Sequence, residues 1–239
     1  NFVIICIDTA HGHTIDHAEC IHKWSQTLGM RGLVMGGSIA TPEAALDQIE
    51  AGASILRLCV GNGSLCSTRL ITGCGCPSLT TIMTIADAIK DKDYISLIAD
   101  GNITKPADMV KALAAGADYV MLGRLLAGCD ECPSEIYYKR GDEFIIESQT
   151  PHTVDRTIKY KKYRGQSSKD FQDDLGLYRD QVTPEGESMY VPCQGPASKV
   201  VDYMTGGLRS AMSYLDATNI SELRENATAI EISYNTLIE

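Results

Sequence analysis

From Phe2 to Gly123, short apolar runs alternate with longer stretches whose apolar residues recur at helical spacing. That alternation is the signature of βα units and a parallel sheet. The pattern predicts strands over Phe2–Asp8, Gly32–Gly36, Ser54–Val60, Tyr94–Asp100 and Asp118–Gly123, each apolar enough for burial on both faces. It predicts helices around Ile15–Leu28, Pro42–Ala51, Leu79–Lys90 and Ala107–Ala115, with Pro42 and Pro106 at first helical positions. Ala51-Gly-Ala53 and Ala115-Gly-Ala117 each close a helix and lead into a strand, which marks a repeated unit.

From Ile136 to Tyr190 the periodicity weakens, and charged residues and tyrosines dominate. This stretch reads either as a lid over the end of the sheet or as a solvated surface hairpin. After Pro192 the pattern predicts helices over Ala197–Tyr214 and Ser221–Ala227 and a last strand over Ala229–Ser233. Gly206-Gly207 inside the first of these helices predicts close packing or a kink.

Polar and reactive residues gather where strands end: Asp8 with His11 and His13, Gly36-Gly37-Ser38, Val60 to Arg69, Asp100-Gly-Asn102, and Gly123-Arg124. Parallel α/β folds bind ligands at the carboxyl ends of their strands, so these positions are expected to converge. The predicted fold class is α/β, a (β/α)₈ TIM barrel of which the chain holds about the C-terminal five strands. One catalytic domain, 1–239, is expected with the lid at 136–190 inside it, and the three remaining strands are expected ahead of Asn1. An open doubly wound sheet is the alternative, but the complete G-x-G-x-x-G fingerprint is missing.

A formal net charge of -10 argues against general nucleic-acid binding, which leans on basic patches, yet leaves room for one small phosphorylated ligand. The sequence lacks the run of about 18 apolar residues that a membrane helix needs. Nine cysteines in 239 residues fit a reducing compartment, and a cytoplasmic location is expected. Cys74-Gly-Cys76 and Cys129-Asp-Glu-Cys132 offer four thiolates to a structural zinc, or are incidental thiols, since only the second pair has ligand-like spacing.

The stretch Val60-Gly-Asn-Gly-Ser-Leu-Cys-Ser-Thr-Arg69 holds the sharpest chemistry. A thiol at Cys66, near loop N–H groups and Arg69, is either an activated nucleophile or an unreactive loop cysteine. Gly61 and Gly63 either turn backbone groups toward an ion or serve a turn. Asp8 and Asp100 suit ribose hydroxyls or helix capping equally. His11 and His13 flank Gly12 at a spacing compatible with a metal, but no third ligand completes a set, which favours hydrogen-bonded structural histidines.

These residues resemble the inosine monophosphate dehydrogenase and guanosine monophosphate reductase family. The resemblance runs through Asp8-Thr-Ala-His-Gly-His13, Gly61 to Arg69, Ile71-Thr-Gly-Cys-Gly75, Ala99-Asp-Gly101, Met121-Leu-Gly123, Leu126-Ala-Gly128, Tyr163-Arg-Gly165, Pro184-Glu-Gly186 and Gly206-Gly-Leu-Arg-Ser210. It implies a barrel in which Cys66 attacks C2 of a purine nucleoside monophosphate. A dehydrogenase passes the C2 hydride of IMP to NAD and hydrolyses the adduct. A reductase expels ammonia from GMP and takes hydride from NADPH.

The resemblance further implies that Ser64, with backbone near Asn102, Gly123, Arg124 and Gly165, holds the 5′-phosphate, with Tyr163 and Gln166 also at the nucleotide. It puts Asp100 on the ribose, Asp8 at the nicotinamide ribose, Glu185 at the purine edge, and the carbonyls of Gly61, Gly63 and Cys66 on potassium. A homotetramer is expected. Asn102, Ser38, Arg124 and Gln166 depart from the usual residues, and Arg124 can add a charge-assisted phosphate bond.

Between Gly165 and Glu185 the dehydrogenases' Arg-Tyr pair is missing, and Leu177-Tyr178-Arg179 has the reverse order, as in the reductases. This favours a GMP reductase in which Thr68 and Glu185 protonate departing ammonia. A dehydrogenase, and a nucleotide-binding protein without turnover, are the other readings.

Overall fold

The computed structural model describes residues 2–178, 181–230 and 232. Its first half is a repeat of strand and helix: β1 (Val3–Cys6), α1 (Ile15–Leu28), β2 (Gly32–Ile39), α2 (Pro42–Glu50) and β3 (Ile55–Leu58). It continues through α3 (Thr68–Thr72), α4 (Ser78–Ala88), β4 (Ser96–Asp100), α5 (Pro106–Ala114), β5 (Tyr119–Met121) and α6 (Arg124–Ala127). Thr14 and Thr41 cap α1 and α2, their side chains accepting from the N–H groups of His17 and Ala44. Pro42 and Pro106 open α2 and α5, where an N–H would have had no helical partner.

The five strands pair in parallel in the order β1-β2-β3-β4-β5. A doubly wound sheet reverses its strand order at a switch point; this one does not reverse, and the sequential order is that of barrel staves. All four residues of the central β3 are buried, whereas Val3 and Ile4 on β1 and Tyr119 on β5, at the two edges, are exposed. Ile21, Val34, Leu56, Leu58, Ile85 and Leu97 form the core between sheet and helices. Truncating such a side chain to alanine costs about 2–5 kcal/mol.

The stretch from Ile136 onward holds regular structure that its composition concealed. Strands β6 (Ile136–Arg140), β7 (Glu143–Ile146), β8 (Tyr160–Arg164) and β9 (Ser188–Pro192) form an antiparallel sheet in the order β7-β6-β8-β9, with the short helix α7 (Lys169–Asp174) between β8 and β9. The Phe144 ring stacks on Tyr190 at 4.0 Å and meets Tyr160 edge-on at 5.0 Å, so aromatic rings cover one face. Gly141, at φ +60, turns the β6–β7 hairpin.

Helices α8 (Ala197–Tyr214) and α9 (Ile220–Asn226) pack on α5 through Met109, Leu113, Val200, Met204 and Leu223. Close packing explains Gly207, since a Cβ there would stand 2.2 Å from the Cβ of Pro106, and α8 continues through it as one helix. The last predicted strand is corrected: Ala229, Ile230 and Ile232 lie outside any strand, and Glu231 and Ser233 lie outside the described residues. Among the described residues no helix is long and apolar enough to cross a membrane.

Candidate active site

Cys66 sits in the loop that joins β3 to α3. The loop turns back on itself, the Cys66 N–H donating to the Gly63 carbonyl at 3.0 Å. Arg69 then folds over it, its Nε donating to the Val60 carbonyl at 3.1 Å and its terminal nitrogen to Asn62 and to the Cys76 carbonyl. Room for this comes from Gly61, at φ +74, where a Cβ would lie 2.6 Å from Arg69 Cγ. Arg69 therefore braces the loop, and its hydrogen bonds go to the loop rather than to the thiol.

The Cys66 thiol donates to Thr68 Oγ1 at 3.1 Å, and the Thr68 hydroxyl donates to Glu185 Oε2 at 2.8 Å. Thr68 is buried while Cys66 is exposed to the cleft. The link spans 117 positions of sequence and is held by backbone on both sides. Ser67 N–H donates to the Glu185 carbonyl at 2.9 Å, and Glu187 N–H to that of Leu65 at 2.8 Å. Gly165 N–H donates in turn to the Glu187 carbonyl at 3.0 Å. Gly165 thus reaches the site through its backbone, and the arrangement offers a thiol proton a two-bond route to a carboxylate.

A second charged group lies beside the first. Arg57 is buried on β3, paired with Asp8 and, through Nε at 3.5 Å, with Asp100. Burial pushes the Asp100 carboxyl up, Arg57 pulls it down, and Asp8 pushes it up again. Sequence reading overlooked Arg57, although an arginine within the apolar run Ser54-Ile-Leu-Arg-Leu-Cys-Val60 is itself a signal. A charge on a buried strand requires partners.

These groups share a cleft of about 570 Å³ lined by Asp8, Ser38, Arg57, Gly61, Gly63, Cys66, Thr68, Asp100 and Gln166, among others. A niche of about 60 Å³ adjoins it, sharing Gly63 and Asp100, and is lined by Ser64, Asn102, Gly123, Arg124 and Tyr163. Tyr163 packs its hydroxyl 2.9 Å from where a Cβ on Gly123 would stand, so the glycine lets the ring approach the backbone closely there. Asp8, Ser38, the loop from Gly61 to Thr68, Asp100, Asn102, Gly123 and Arg124 therefore converge, with Glu185 joining through Thr68, whereas His13 lines a separate cavity and His11 lines neither the cleft nor the niche. Of the lid tyrosine-arginine pair, Tyr178 is described, beneath Lys169 at 5.0 Å, and Arg179 lies outside the described residues.

A larger cavity, about 760 Å³, lies elsewhere, along α1 and α2 around His13, Ala18, His22 and Asp47. It contains no nucleophile beside a proton acceptor, so chemistry, not volume, selects the smaller cleft. His13 is hydrogen-bonded to Asp47 at 2.9 Å. Among the described residues no group of three His, Cys, Asp or Glu side chains is placed to hold a metal, whether around His11 and His13 or around the cysteine pairs.

Residues 2–239 match the model of the IMP dehydrogenase / GMP reductase domain. The chain is 38% identical to an inosine-5′-monophosphate dehydrogenase of Methanocaldococcus jannaschii over 98% of its own length and 47% of the relative's. It is 36% identical to a GMP reductase of Leishmania major over 96% and 45% respectively. A cysteine-to-alanine variant of GMP reductase from Trypanosoma brucei, solved in complex with guanosine 5′-monophosphate, superposes with a TM-score of 0.86 at 32% identity, covering 98% of this chain and 46% of that one. The parallel sheet is accordingly curled as a half-barrel, and the chain spans about half the length of the relatives it matches. By sequence and by fold, the chain belongs to the IMP dehydrogenase / GMP reductase family.

Proposed function

We propose that the chain carries the nucleophile and the nucleotide site of a purine nucleoside monophosphate oxidoreductase acting at C2 of the base, in the GMP reductase direction. The observation that supports it best is the hydrogen-bonded line from Cys66 through Thr68 to Glu185. In this reading the Cys66 sulfur bonds to C2 of GMP, the thiol proton passes by Thr68 and Glu185 to the 2-amino group, and the C2–N bond breaks to release ammonia. NADPH, when bound, supplies the hydride that replaces sulfur at C2, giving IMP. Displacement of sulfur leaves a Cys66 thiolate, and because the first proton departed with ammonia, it takes a new one from water by way of Glu185 and Thr68.

Asp8, Thr9 and Ser38 line the same cleft as Cys66 and offer a carboxylate and hydroxyls, chemistry that fits the ribose and amide of a nicotinamide nucleotide. The niche at Ser64, Asn102, Gly123, Arg124 and Tyr163 takes the 5′-phosphate, Asp100 the ribose hydroxyls, and Gln166 the base. For potassium, the Gly63 carbonyl already accepts from Cys66, and three carbonyls fall short of the six or so oxygens a hard cation gathers. The chemistry is therefore derived without the ion. A homotetramer, checked by light scattering, and a cytoplasmic location, checked by fractionation, complete the reading.

IMP dehydrogenase is the second reading, favoured by relatives of that name at 38% and 40% identity. There Cys66 adds to C2 of IMP, hydride leaves to NAD⁺, and water cleaves the adduct. Supplying the full chain with GMP and NADPH, and separately with IMP and NAD⁺, separates the two by the fall or rise of nicotinamide absorbance. Cys66→Ala is expected to abolish turnover in whichever direction is active. A fully active variant would sink both readings.

A further inference from the structure

We infer that Arg57 is a positioning residue that couples the nucleotide side of the cleft to its cofactor side, by sharing one guanidinium between Asp100 and Asp8. The inference rests on the functional reading above, which gives Asp100 the ribose of the nucleotide and Asp8 that of the cofactor.

Arg57 sits on the innermost strand, level with Gly37 on β2 and Ile98 on β4. A Cβ on Gly37 would lie 2.3 Å from the Arg57 carbonyl and 2.7 Å from its Cβ, so glycine is what admits the arginine's backbone to this register. The side chain is 9% exposed, against 44% for Asp8 and 28% for Asp100. The cation is thus sequestered while both carboxylates reach the cleft. One terminal nitrogen pairs with Asp8, and Nε stands 3.5 Å from Asp100 without completing a hydrogen bond. The division is unequal, and whatever weakens one pairing frees the guanidinium for the other.

Two consequences follow for the nucleotide. An ionised Asp100 accepts hydrogen bonds from ribose hydroxyls, and a protonated one loses half that capacity. The charged groups facing Asp100 are Arg57 on β3 and Asp8 beyond β1, with the thiols of Cys59 and Cys6 nearby. Arg57 alone among these favours the carboxylate. Removing it raises the pH at which Asp100 loses its charge; neutralising Asp8 lowers that pH, although Asp8 stands on the cofactor side.

The test measures GMP and IMP binding by the full chain across pH, by calorimetry, with no cofactor present. Arg57→Met is expected to weaken binding by roughly tenfold or more and to shift its acid limb to higher pH. Arg57→Lys is expected to restore part of the affinity, and Asp8→Asn to move the acid limb to lower pH. Wild-type protein that is folded but binds neither nucleotide overturns the functional reading itself, and this inference with it. If wild type binds, folded Arg57→Met with unchanged affinity and pH profile overturns the inference alone. Should Arg57→Met not fold, unchanged binding by both Arg57→Lys and Asp8→Asn overturns it equally.

Discussion

Thr68 does two things with one oxygen: it accepts from Cys66 at 3.1 Å and donates to Glu185 at 2.8 Å. Such a relay works only if every member can both take and pass on a proton, which separates shape from function in substitutions. Glu185→Gln keeps the shape but cannot hold the proton, and Thr68→Val keeps the volume but removes the hydroxyl. Each is expected to lower kcat by about 10²-fold or more while changing KM little. The double variant should cost scarcely more than either single change, because one broken link already opens the chain. Thr68→Ser, which retains the hydroxyl, should recover most of the rate. Steady-state kinetics with the active nucleotide and cofactor pair checks all four, and additive losses would contradict a relay. Cys66 stood out from its own loop, whereas Thr68 and Glu185 were paired only through the family resemblance. The hydrogen bond to Glu185 depends on the crossing of two distant segments, which local pattern does not reveal.

At the scale of elements, period decided what was readable. The helices Ile15–Leu28 and Ala197–Tyr214 match their predicted bounds, and the five parallel strands fall within or near the apolar runs that announced them. The antiparallel sheet escaped because its faces are built from Tyr, Lys and Arg, whose long apolar stems pack while their tips remain polar. Lys161 on β8 is the extreme case, 4% exposed in a strand that reads as charged surface. Its ammonium donates to the carbonyls of Cys129 at 2.6 Å, Cys132 at 2.7 Å and Asp130 at 3.2 Å. It thereby ties β8 to the turn after α6, two residues from Tyr163. Lys161→Met fills similar volume but withdraws the ammonium from three carbonyls: those of Cys129 and Cys132 keep one backbone donor each, from Cys132 and Ser134, and that of Asp130 is left unpaired. It is expected to destabilise the fold by about 2–4 kcal/mol, read as a lower midpoint in urea. A variant as stable as wild type would show that water replaces the ammonium there.

For the whole molecule, the histidine that makes stability depend on pH just below neutrality is His17, whose ring sits between α1 and the sheet. Its Nδ1 lies 3.1 Å from Thr9 Oγ1, and its Nε2 accepts the Gly37 N–H at 3.4 Å, so the neutral Nδ1-protonated ring satisfies both contacts. Protonating Nε2 would set two donors against each other and place a cation near buried Arg57. Burial first, and Arg57 second, accordingly lower the His17 pKa. As pH falls below the unfolded value of about 6.5, the unfolded chain binds a proton that the folded chain refuses, and stability declines until the lowered folded value is reached. Asp100 works the other way: its carboxyl is raised by burial, so the folded chain takes up a proton before the unfolded chain does, and stability rises as pH falls between those two values. Between about pH 6.5 and the folded pKa of His17, the histidine is therefore expected to lower the unfolding midpoint. His17→Asn offers the pocket an amide that does not titrate, and is expected to flatten this limb even if it lowers stability throughout. Urea midpoints at stepped pH check the slope, and an equal slope in the variant would place the titration elsewhere in the chain.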